Sequence, residues 1–203
     1  MDELNITNYA ELCGVISAAP TFSHSGRGED FYTFPMEVQR LSGACDTVNI
    51  IARSSLLESI ELTEAEKICV LGELRSFNNK SGEGARLVIT VFAKEIILCS
   101  DEDCNIIRLI GTLCKKPNLR TTPMGRDICD LMLAVNRKYG RSDYLPCIAW
   151  GIKAREAADW DVGTTVSLEG RIQSRSYIKL IDDVPVEKTA FEVSVIEIGV
   201  YEE

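Results

Sequence analysis

Tyr139, Tyr144, Trp150, Trp160 and Tyr177 sit close in sequence to Lys115, Lys116, Arg120, Arg126, Arg137, Lys138, Arg141, Arg171, Arg175 and Lys179. Exposed rings stack on flat π-systems at about 1–3 kcal/mol each, and a groove of cations tracks a polyanion. This combination suits an extended polyanion that carries flat bases. Each residue also has a plainer reading. Trp160 closes a helical pattern and reads as a packing residue. Trp150 lies in an apolar run and has the core as its alternative place. Arg126 is next to Asp127, which can neutralise it, and some of the other cations serve only to solvate the surface.

Other chemistries find little support. The only histidine is His24, and the eight cysteines (13, 45, 69, 99, 104, 114, 129 and 147) form no C-x-x-C pair. They supply no zinc template and read as small apolar residues kept reduced. Cys99 and Cys104 stand apart because they flank an acidic stretch. The sequence contains no phosphate-cradling loop, dinucleotide fingerprint, nucleophile elbow or metal-binding histidine motif, so the chain does not read as an enzyme and no cofactor or metal is expected. No apolar run reaches the roughly 20 residues of a membrane span. The acidic start Met1-Asp2-Glu3-Leu4 lacks the character of a signal peptide, so a cytoplasmic, nucleoid-associated place is expected.

The net charge of −9 argues at first against a nucleic-acid partner, but the charge is unevenly spread. Residues 1–104 hold 8 Lys/Arg against 17 Asp/Glu, whereas residues 105–203 hold 14 of each. Within 105–145 there are 8 basic residues against 3 acidic ones. Positive charge therefore gathers where the aromatic residues begin.

A shift of 97 residues brings the two halves into register. Asn8 falls on Asn105, Gly14 on Gly111, Pro20 on Pro117 and Gly28 on Gly125. Val38 meets Val135, Arg40 meets Arg137 and Asp46 meets Asp143. One residue further on, Gly72-Glu73-Leu74-Arg75-Ser76 meets Gly170-Arg171-Ile172-Gln173-Ser174. Two copies of one domain, spanning 1–100 and 104–203, follow from this repeat. Each copy alternates apolar and polar residues in strand-like runs. Lys153–Trp160 carries helix formers and is followed by Gly163; in the first copy Ser54–Lys67 is the helical counterpart. Five strands with a helix between the third and fourth is the order of the oligonucleotide/oligosaccharide-binding (OB) barrel, so the expected fold is all-β, two tandem five-stranded Greek-key barrels.

The second copy resembles the bacterial single-stranded DNA-binding protein family. Asn105–Gly111 is similar to the family's opening strand, and Arg120-Thr121-Thr122-Pro123-Met124-Gly125 to its turn before the second strand. Leu133–Tyr139, Tyr144–Gly151 and Gly170–Tyr177 resemble the three segments that carry its stacking aromatics. The resemblance covers nearly all of 105–198 and places the four stacking positions on Tyr139, Tyr144, Trp150 and Tyr177. Tyrosine stands at three positions where the family has the larger tryptophan, which weakens each contact. Lys115, Lys116, Arg120, Arg137, Lys138, Arg141, Arg171 and Arg175 are the phosphate contacts that this reading implies.

The resemblance further implies single-stranded DNA as the partner and a homodimer presenting four barrels. It leaves RNA open, because stacking and phosphate contacts do not exclude a 2′-hydroxyl. The first copy departs from the pattern, with Ser42, Thr47, Arg53 and Asn79 at the four aligned positions. Its rings gather instead in Phe31-Tyr32-Thr33-Phe34, a strand with at least one ring inward, and its acidity predicts weak DNA binding or a role in assembly. The last strand runs almost to residue 203, so recruitment of replication enzymes through an acidic tail is not expected. The alternative reading is a primosomal or replisome accessory barrel that acts mainly through protein contacts.

Overall fold

The structure, a computed structural model, describes residues 7–26, 28–40, 42–58, 60, 62–79, 86–98, 103–138, 140–181 and 184–202. The first copy folds as β1 (Asn8–Ile16), β2 (Thr21–Gly26), β3 (Glu29–Gln39), β4 (Cys45–Arg53), α1 (Ser54–Leu57), β5 (Lys67–Asn78) and β6 (Leu87–Leu98). The second folds as β7 (Cys104–Leu113), β8 (Asn118–Thr121), β9 (Asp127–Asn136), β10 (Ser142–Trp150), α2 (Ile152–Ala158), β11 (Thr165–Ile181) and β12 (Val184–Val200).

The strands run β2-β3-β4-β6-β5-β1 in one copy and β7-β11-β12-β10-β9-β8 in the other. Pairing of β1 with β3, and of β7 with β9, closes each set into a barrel. The third and fifth barrel strands run parallel in both copies, as Ile50↔Val91 and Ile148↔Ser194 show. These are two tandem OB folds, each with one extra short strand (β2 or β8) that extends a hairpin. By compactness the chain divides into Tyr9–Arg75 with Thr90–Ile106, and Ile107–Glu203 with Ser76–Ile89 and Ile6–Asn8.

Alternation along the strands fills the barrels. Leu12, Ile16, Phe34, Met36, Ile50, Ile68 and Leu74 are fully buried in the first unit, and Ile107, Leu113, Leu133 and Leu145 in the second. Phe34 is the inward ring expected of the Phe31–Phe34 run. The matched glycines mark crossings where two backbones touch. A Cβ on Gly14 would lie 2.1 Å from the Glu37 carbonyl oxygen, and one on Gly111 would lie 2.9 Å from Val135 Cγ2. Gly72 and Gly170 meet the Phe92 and Ser194 carbonyls in the same way, at 2.2 and 2.5 Å.

Two expectations need correction. The helix predicted over Ser54–Lys67 is only the single turn Ser54–Leu57, with no capping side-chain bond and no buried residue. One turn has no apolar face to offset its nucleation cost, and β5 has already begun at Lys67. The cysteines, in turn, are not uniformly buried thiols. Cys13 and Cys69 form a disulfide, Cys45 is exposed, and Cys104 and Cys114 are partly exposed.

Candidate nucleic-acid interface

Strand register decides which side chains share a surface, because successive residues point to opposite faces. On β10, Asp143, Leu145, Cys147 and Ala149 are buried, while Tyr144 and Trp150 are 51% and 39% exposed. The two rings therefore share the outer face, six residues and about 20 Å apart at roughly 3.3 Å per residue. Ile148 is opposite Ser194 on β12, and Ser194 is opposite Arg171 on β11, so all three point the same way. The outer face continues along β11 through Gln173 and Arg175 to Tyr177, while Ile172 is buried on the inner side. Tyr144, Trp150, Arg171, Arg175 and Tyr177 thus lie on one face of a continuous sheet. Beyond the barrel, β11 and β12 continue as a two-stranded ribbon paired out to Ile181↔Val184.

Trp150 is held in place: its indole N–H donates to Ser194 Oγ at 3.2 Å. The residue after it, Gly151, has φ +60° and turns the chain into α2. Arg155 of α2 donates to Asp127 Oδ2 at 2.6 Å, which fastens the helix to β9. Tyr139 lies outside the described residues. Trp160 is half-buried at the end of α2.

The cations separate into two groups. Lys115, Lys138 and Arg141 are exposed, and together with Arg171 they make no ion pair among the described residues. Lys138 and Arg141 lie in the connection from β9 to β10. Arg126 is exposed too and makes no ion pair among the described residues, Asp127 being held by Arg155, whereas Lys116, Arg120, Arg137 and Arg175 are engaged. Arg120 holds Asp130 through two bonds of 2.6 and 3.0 Å, and Asp130 raises the guanidinium pKa above its ordinary value. Lys116 bonds Asp161 at 2.9 Å and the Trp160 carbonyl at 3.1 Å. Arg175 Nε is 3.4 Å from Glu192.

Arg137 is the most committed. Its Nε donates to Asp143 Oδ2 at 2.6 Å, and Nη2 donates to Asp143 Oδ1 and to the Ser76 carbonyl. Asp143 is fully buried and also accepts the Ser76 backbone N–H at 2.6 Å.

The first unit has its own group of rings and cations, which the sequence reading missed. The Arg53 and Arg75 guanidiniums and the Lys94 ammonium lie 5.3, 5.6 and 5.4 Å from the Phe92 ring centre. Phe31 is 6.1 Å from Phe92 and stacks on His24 at 4.8 Å. Carboxylates temper the group, since Glu29 pairs Arg53 and Glu73 pairs both Arg75 and Lys94. The available signal was that Arg53 aligns with Trp150: an arginine stands at the ring position, and the ring has moved to β6.

Residues 104–200 match the single-strand binding protein family. The match spans the second domain, Cys104 to Val200. The second domain is 36% identical over 80 residues to single-stranded DNA-binding protein 2 of Listeria innocua serovar 6a, covering 36% of this chain and 50% of that protein. It is 35% identical over 80 residues to the single-stranded DNA-binding protein of Halalkalibacterium halodurans, covering 36% and 48%. The chain spans about half the length of the curated relatives it matches. Across both domains it is similar to the wild-type single-stranded DNA binding protein of Thermus aquaticus, with a TM-score of 0.77, 20% identity, and coverage of 97% of this chain and 93% of that one. That likeness is one of fold, and it extends to the tandem barrels.

Proposed function

We propose that the chain binds single-stranded DNA without strong sequence choice, mainly through the second domain, in replication, recombination or repair. The observation that carries this reading is the shared outer face of Tyr144, Trp150, Arg171, Arg175 and Tyr177. Bases stack on these rings and on Tyr139, while Lys115, Lys138, Arg141 and Arg171 supply charge for phosphates. Lys116, Arg120 and Arg175 contribute less because carboxylates already hold them, and Arg137 acts on the fold. The natural assembly is a cytoplasmic homodimer of four barrels, which sedimentation at micromolar concentration tests.

Anisotropy of a labelled oligo-dT strand at two salt concentrations tests the central claim. The expected result is salt-sensitive binding that a folded Tyr144→Ala/Trp150→Ala variant loses. No binding of the wild type at low salt overturns the proposal. Competition with a matched RNA oligonucleotide decides between DNA and RNA.

One observation favours the second reading, a replisome accessory protein acting through protein contacts. On the ribbon face opposite Tyr177, Ile178 and Leu180 are 73% and 65% exposed. An apolar strip on a paired ribbon fits a protein partner better than a phosphate chain.

A further inference from the structure

Glu11 and Cys13 are two residues apart on β1 and so share a face. Cys69 on β5 is directly opposite Cys13, and a disulfide joins the two. The start of β7 brings a third sulfur. Asp103 is fixed by Lys67 Nζ at 2.8 Å and by the Gln39 backbone N–H at 3.1 Å, which sets the position of Cys104 beside it. The Glu11 carboxylate, Cys13 Sγ and Cys104 Sγ all lie within 4.8 Å of one another. The Tyr9 hydroxyl donates to Glu11 Oε2 at 2.7 Å, which orients the carboxylate. Cys13 is only 4% exposed, whereas Glu11 and Cys104 are partly exposed, which leaves an ion a way in from solvent.

We propose that Glu11, Cys13, Cys69 and Cys104 form a Zn²⁺ site that is open when the Cys13–Cys69 pair is reduced and closed when it is oxidised. Three sulfurs and one carboxylate are a donor set for a borderline-soft tetrahedral ion, and a poor one for Mg²⁺ or Ca²⁺, which require oxygen. With Zn–S bonds near 2.3 Å, sulfurs at tetrahedral corners stand about 3.7 Å apart. Glu11, Cys13 and Cys104 form the observed group, and Cys69 joins it from the facing strand once cleavage of the disulfide frees its sulfur.

The two states exclude each other because a sulfur bound to its neighbour is not a thiolate ligand. A dithiol reductant delivers two electrons and two protons, becomes a disulfide itself, and leaves Cys13 and Cys69 as thiols. Zn²⁺ then displaces the protons of three thiols to solvent. The donors come from strands far apart in sequence, which is why no close-set cysteine motif announces the site. The site lies within the first compact unit, which includes Cys104 at the start of β7, and the inference stands independently of the DNA reading.

The test is Co²⁺ titration of the full chain, reduced and oxidised, with Zn²⁺ as competitor. The expected result for reduced protein is one Co²⁺ per chain with thiolate charge-transfer and tetrahedral ligand-field bands, which Zn²⁺ abolishes. Oxidised protein should show none. Cys104→Ser should weaken binding at least about tenfold, while a Cys45→Ser/Cys114→Ser variant should bind as the wild type does. Glu11→Gln, which leaves every sulfur in place, should shift the ligand-field bands and serves as the second variant should Cys104→Ser fail to fold. The proposal is overturned by any of three outcomes: no thiolate bands in reduced wild type, bands unchanged in both Cys104→Ser and Glu11→Gln, or bands lost in Cys45→Ser/Cys114→Ser.

Discussion

Arg137 grips the buried carboxylate of Asp143 across a six-residue hairpin, and Arg40 grips buried Asp46 in the same way in the other copy. The chain leaves both arginines through the same turn, with the Arg40 N–H donating to the Ala44 carbonyl and the Arg137 N–H to the Arg141 carbonyl, each at 2.7 Å. Breaking a buried pair from one side strands a charge and costs about 3–5 kcal/mol. Asp143→Ala is therefore expected to lower the unfolding free energy by up to that amount, Arg137 keeping some access to solvent, and to lower the urea midpoint with it. Arg137→Lys should recover only part of the loss, since an ammonium cannot supply the two-pronged fork. Equilibrium unfolding measures both. The salt dependence of DNA binding by folded Arg137→Lys should match wild type, because this cation is committed to the fold.

The unengaged cations should behave differently. Each phosphate contact on a single strand contributes about 0.7 to the slope of log affinity against log salt. Lys138→Ala and Arg141→Ala should each flatten that slope, whereas Lys116→Ala should change it little because Asp161 already holds its ammonium. Asp130→Asn should do the reverse and tighten binding at low salt by releasing Arg120. Anisotropy titrations across a salt series give these slopes directly.

The repeat made most of the fold legible. Gly14 and Gly111, Gly72 and Gly170, and the two Arg–Asp pairs were matched from sequence, and they occupy equivalent places in the two barrels. Tyr144 and Trp150 came from the family resemblance, and their six-residue spacing on β10 puts both on its outer face. What sequence could not show was engagement. Arg137 and Lys138 are adjacent cations with the same formal charge, and only the position of buried Asp143 tells them apart. The helix expected over Ser54–Lys67 shrinks to α1 because Ser54–Leu57 buries no side chain, and the core residue that follows, Leu62, lies past its end. The Cys13–Cys69 pair is 56 residues apart in sequence and becomes a pair only through the β1–β5 register.

Backbone crossings should tolerate no side chain. A methyl on Gly14 or Gly170 meets a carbonyl oxygen at 2.1 or 2.5 Å, which only a backbone shift relieves. Overpacking of this kind costs about 1–3 kcal/mol. Gly111→Ala should cost less than Gly14→Ala, because its nearest obstacles, the Val135 methyl at 2.9 Å and the Ala134 carbonyl oxygen at 3.0 Å, stand further off than the carbonyl oxygen 2.1 Å from a Cβ on Gly14. Thermal melts of the three variants should give that ranking.

Alkaline pH should erode stability through the buried thiols. Burial pushes the Cys147 and Cys129 pKa values above the ordinary 9.0, with nearby Glu192 and Asp130 acting in the same direction. In the unfolded chain these thiols ionise near their ordinary value, while the folded chain keeps their protons. Above that pH the folded state binds more protons than the unfolded state, so unfolding gains as pH rises. The stabilising contribution is complete below about pH 9 and fades above it. Urea midpoints should therefore fall from neutral to strongly alkaline pH, and Cys147→Ala should flatten the fall while lowering the neutral value. Iodoacetamide at neutral pH should label exposed Cys45 before Cys129 or Cys147. Labelling of Cys147 at a rate equal to that of Cys45 in the folded chain would show that burial does not protect it.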